Sequence, residues 1–152
     1  TFVNCTDGIG AIIDGTLSAS ITENYEFPYP YSREVTGSVS IIFSESPVEI
    51  SFTGIDLQKS GDMLMGTYTT AKSTFAVNFI VDGVSSGGFR SELKAAIVES
   101  TGYGSCPESG HIFITGANGT TAEGIYNGDG LTMTIKANGV EVDTGPVCYY
   151  WS

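Results

Sequence analysis

Basic residues are scarce in this chain. Six lysines and arginines stand against 17 acidic residues in 152, for a net charge of −11. The six (Arg33, Lys59, Lys72, Arg90, Lys94 and Lys136) are scattered, with no cluster to track a phosphate backbone, so nucleic acid and anionic membrane surfaces are not expected partners. Acidity of this kind keeps a secreted protein in solution.

Metal and catalytic side chains are equally thin. One histidine, His111, and three dispersed cysteines do not supply the closely spaced ligands of a zinc site. Asn127-Gly128-Asp129-Gly130 resembles a calcium loop superficially but lacks the further acidic ligands and terminal glutamate, and it reads as a hairpin turn. Nucleophilic catalysis needs a base and a group that orients it. Ser105 and Ser109 lie near His111 in sequence without defining such a triad, and His111 reads as structural. Glu23, Glu26 and Glu34 flank an aromatic segment, but nothing sets two of them across a cleft as a glycosidase requires. The expectation is a protein with no catalytic residues, metal or cofactor.

Long apolar runs are missing too, so no membrane span is expected. The chain starts at Thr1 without a basic leader segment, which reads as a secreted or cell-surface protein whose leader has been removed, or as a chain trimmed at that end. Three cysteines in a lysine-poor chain rich in Ser, Thr and Gly fit an oxidising compartment.

What the chain does have is turns and alternation. The stretch from Cys106 to Cys148 holds three turn signals, Gly116-Ala117-Asn118-Gly119, Asn127-Gly128-Asp129-Gly130 and Asn138-Gly139. Asn-Gly favours the two-residue turn whose twist matches that of the flanking strands. Between the turns Ile112 and Ile114, then Leu131, Met133 and Ile135, then Val140 and Val142 are expected on one face. The segment 106-148 therefore reads as a β-meander, and a Cys106 to Cys148 bridge would clamp its first strand to its last. Such a loop constrains the unfolded chain by about 4 kcal/mol in the entropic account. Cys5 is then left over, and pairing of Cys5 with either of the others stays open.

Upstream, Thr1 to Thr6 reads as a strand ending at Asp7-Gly8, and residues 1-7 could pair with their own sheet or exchange onto a neighbouring subunit through Phe2, Val3 and Cys5. Leu17, Ala19 and Ile21 alternate with Ser and Thr, as do Val35, Val39, Ile41 and Phe43, then Val48, Ile50 and Phe52, then Phe75, Val77, Phe79 and Val81. Pro28 and Pro30 make Glu23 to Ser32 an aromatic loop or edge segment. Gly54 to Asp62 reads as turn-like, Ser85 to Gly88 as a flexible link, and Phe89 to Ser100 as a strand with a competing helical stripe. Asn4-Cys5-Thr6 and Asn118-Gly119-Thr120 match the glycosylation triplet.

These segments predict a single all-β domain spanning 1-152, an antiparallel sandwich or closed barrel of about nine or ten strands. Two functions fit. The first is a structural or assembly protein, a fibre subunit that contacts copies of itself or another surface protein through its N-terminal strand. The second is a glycan- or ligand-binding module using Tyr25, Tyr29, Tyr31, Tyr150 and Trp151 as a stacking platform.

Overall fold

The structure, a computed structural model, describes residues 1–6, 10–27, 29–43, 46–100 and 107–146. Among them are ten strands: β1 (Phe2–Thr6), β2 (Ala11–Glu23), β3 (Pro30–Phe43), β4 (Val48–Asp62), β5 (Thr67–Val81), β6 (Val84–Ser100), β7 (Pro107–Gly116), β8 (Thr121–Tyr126), β9 (Thr132–Ala137) and β10 (Val140–Pro146). They form one antiparallel sheet in strict sequence order. The all-β, antiparallel expectation holds, and so does the meander of β7 to β10.

The closed barrel is corrected: β1 and β10 are the two edges of an open sheet and do not pair with each other. No second layer packs on this sheet within the described residues: apart from a contact of β6 with the turn at Ala117–Gly119, the main contacts of each strand are with its sequence neighbours. Alternation along a strand shows that one face is apolar, but it carries no information about what covers that face. Cys106 and Cys148, and with them the expected bridge, lie outside the described residues.

The turns follow their sequences. Asp82 and Gly83 have φ of 53° and 76°, Asn138 and Gly139 of 49° and 79°, and each pair joins directly opposed residues, Val81 to Val84 and Ala137 to Val140. Both are type I′ geometry, in which the first residue takes a left-handed φ that Asn and Asp tolerate. The β8 to β9 turn is held by Asp129. Its Oδ1 accepts the Leu131 and Thr132 amides at 2.8 and 2.7 Å, and its Oδ2 accepts the Thr132 hydroxyl at 2.5 Å.

Those bonds, the Thr132 hydroxyl first, hold the Asp129 carboxyl down at about 2. A depressed carboxyl contributes stability that is present above its unfolded value near ~4 and is lost as pH falls through the folded one. The Leu131 and Thr132 amide resonances are therefore expected to titrate with a midpoint near 2. A midpoint at the ordinary aspartate value, or the same titration in Asp129→Asn, would refute the cap.

Several strands run further than alternation suggests. Gly54 to Asp62 continues β4 instead of turning, because a bulge around Gly54 (φ 61°) and Ile55 absorbs the break in pattern. Ser85 to Gly88 belongs to β6, and Phe89 to Ser100 is strand throughout. Pro30 opens β3, the position where a missing amide costs least. Leu131 lies in the turn, and a register shift between Glu141 and Asp143 takes Val142 out of the row that holds Val140.

Candidate functional site

Directly opposed residues share a face, so the register sorts the sheet into two surfaces. One row runs Ile13, Ile41, Ile50, Phe79 across β2 to β5, and the next runs Val39, Phe52, Val77, Phe89 across β3 to β6. Ile114, Ala122 and Ala137 extend the same surface over β7 to β9. The opposite surface carries Ser18, Thr36, Asp56, Thr74 and Glu92. The first face is mainly apolar, with Arg33, Lys59 and Glu99 toward one end; the other is rich in hydroxyls and charge but also carries Ile12, Ile42 and Ile80.

The apolar face is poorly covered. Among the described residues only Ala11 and Val77 count as buried hydrophobics, and no side chain is fully buried. The accessible surface is 9410 Å². A compact 16.0 kDa monomer exposes about 7,400 Å², roughly 2,000 Å² less. A standard stable interface takes about 800 Å² from each partner. The excess belongs to the whole chain, both faces and both edges included.

Both edges are open as well. β1 is exposed along its whole length, pairs with β2 through a shifted register at Asn4 (φ 48°), and presents Phe2, Val3 and Cys5. The Cys5 thiol is free and exposed, within 3.9 Å of the Val3 carbonyl.

At the end of the apolar face where β2 meets β3 and β4 meets β5, the surface sinks into a recess of about 710 Å³. Its floor is Val35, Ile55 and Leu57, and its walls are Tyr31, Tyr68, Arg33 and Lys59, with Glu23 and Met63 also lining it. The two tyrosines flank Gly61, which opposes both, and their rings meet edge to face at 5.8 Å. A Cβ on Gly61 would stand 2.2 Å from the Thr67 carbonyl oxygen and 2.7 Å from Tyr68 Cδ1, so the close approach requires glycine. Lys59 Nζ pairs with Glu99 at 2.5 Å and sits 5.2 Å from the Tyr68 ring centre. Burial, and then the Glu99 charge, raise the Tyr126 phenol above its ordinary value.

Of the aromatic residues expected to form a platform, Tyr31 lines this recess. Tyr25 does not line it: it is exposed at the bend after β2, where its hydroxyl donates to Glu23 Oε2 at 2.8 Å and that carboxylate raises its pKa. Tyr29 takes a left-handed φ of 57° in the connection to β3, its amide donating to the Glu26 carbonyl. Tyr150 and Trp151 lie outside the described residues. Tyr68, Arg33 and Lys59 escape sequence reasoning because only the register brings them together. The alternation Ile55, Leu57, Lys59 past Gly54 was the available signal.

His111 sits on the polar face, its Nε2 2.8 Å from Glu123 Oε2 on the adjacent strand. Gly83-Val84-Ser85-Ser86-Gly87 has the spacing of a hydrolase nucleophile elbow, but it spans a hairpin turn and the start of a strand, with no helix following. Ser85 donates to Asn78 at 2.8 Å, at the opposite end of β6 from Ala95, which His111 faces. No group of three or more metal-binding side chains converges among the described residues, and no helix there is long and apolar enough to cross a membrane. The chain matches no protein-family model, no curated protein and no solved structure.

Proposed function

We propose that this chain is a structural subunit, secreted or at a cell surface, that assembles with copies of itself and has no catalytic role. The observation that carries the reading is the uncovered apolar face. At about 25 cal/mol per Å², apolar surface on this face gains by leaving water, a gain from which the costs of association are subtracted, so a cover is the reading the face supports best. Two copies stacked face to face make the sandwich that the sequence pattern suggests. The open β1 edge adds a second mode, continuation of the sheet into a neighbour, with Cys5 placed to link the two chains. A Cys106 to Cys148 bridge would stiffen the meander at the other end.

Light scattering during size exclusion, with and without reductant, tests this. The expected result is a species heavier than the 16.0 kDa chain that persists in reductant, with covalent dimers that vanish in reductant and in Cys5→Ser. A monomer at all concentrations would overturn the proposal.

Ligand binding is the second reading, and the recess beside Tyr31 and Tyr68 is the observation that favours it.

A further inference from the structure

Arg33 is one of only two arginines in the chain. It lies directly opposite Lys59 across β3 and β4, on the apolar face. Like charges in opposed positions repel, and a strand pair ordinarily avoids them. Glu99 answers Lys59. With 17 acids in the chain, none of those described forms an ion pair with Arg33. Glu23, the acid that lines the same recess, accepts the Tyr25 hydroxyl instead. The exposed guanidinium of Arg33, whose fork of donors has no protein partner among the described residues, therefore stands beside two tyrosine rings and an aliphatic floor, at an open recess of about 710 Å³, and small-molecule sites run from about 300 to 1,000 Å³.

We propose that this recess binds a small organic anion with an apolar body, a hydrophobic carboxylate, whose head group pairs with the Arg33 guanidinium while its body lies on Val35, Ile55 and Leu57. Two parallel N–H···O bonds to the carboxylate answer the charge that the cross-strand partner aggravates. The rings of Tyr31 and Tyr68 close the sides. The recess lies on the same face toward the strand ends, with Ile55 one cross-strand pair from Val39 and Phe52, so a copy stacked over the whole face would cover it and ligand and partner would compete.

Calorimetric titration of the whole protein with decanoate and with decanol tests it. Decanoate is expected to bind saturably, with decanol at least tenfold weaker. Arg33→Gln should weaken decanoate at least tenfold without changing decanol, and Arg33→Lys, which keeps the charge but not the fork, should fall between. Arg90→Gln, on the opposite face, is the control and should bind as the parent does. Equal binding of decanoate and decanol, equal effects of Arg33→Gln and Arg90→Gln, or no saturable decanoate binding would each overturn the proposal. Light scattering on the same samples separates this outcome from any failure of assembly.

Discussion

Under the proposed assembly, replacing Phe79 with glutamate is expected to leave monomers while keeping the sheet folded. Phe79 lies on β5, midway across the sheet, in the apolar row with Ile13, Ile41 and Ile50. The residue remains 36% exposed in the single chain, so a carboxylate there keeps water until a partner covers it. Covering it then buries an unpaired charge. Central aromatic contacts carry about 2 kcal/mol or more when truncated, which is roughly a thirtyfold change in dissociation constant, and a buried charge adds to this. Dilution series by light scattering, with circular dichroism to verify the fold, give the answer. Ser40→Glu, on the polar face, should assemble normally. Normal assembly of Phe79→Glu, or equal damage from Ser40→Glu, would show that the apolar face is not the contact.

Gly37→Ala is expected to be the most damaging small substitution in the sheet, costing about 3 kcal/mol or more from strain and collision together. Gly37 has φ of 146°, and a Cβ there would lie 2.1 Å from the Thr16 carbonyl oxygen and 3.0 Å from Leu17 Cα. Both are backbone atoms of the adjacent strand, so neither can swing aside. Gly54 has a positive φ of 61° but nothing within 4 Å, and Gly54→Ala should cost only about 1 kcal/mol. For a chain of this length the larger loss lowers the melting midpoint by roughly 6 to 12 °C. Denaturant curves for the pair check the ordering; comparable losses would mean that β2 can yield at Thr16.

The local chemistry was legible because it is local. Asp82-Gly83 and Asn138-Gly139 state their turn type in two letters, and the alternation around Val39, Phe52 and Val77 states which side is apolar. What alternation cannot state is a bulge. At Gly54 and Ile55 an extra residue resets the phase, so that Leu57 and Lys59 rejoin the face of Phe52, and a reader who stops at Gly54 loses Lys59 from the site. The same reset removes Val142 from its expected row. The tyrosine pair was hidden for another reason. Tyr31 and Tyr68 are two strands apart and meet over a glycine, and only the register of both ladders shows that Gly61 stands between them. Sandwich against single layer was illegible in principle, since both give the same pattern along every strand.

The strict neighbour order of the sheet also governs how it can form. Each strand completes its pairing with the one synthesised just before it, so the ladder can grow hairpin by hairpin as the chain leaves the ribosome, with no distant segment to wait for. Opening runs the other way, inward from β1 and β10, and amide protection should rise toward β4 and β5 like a zipper unfastened from both ends.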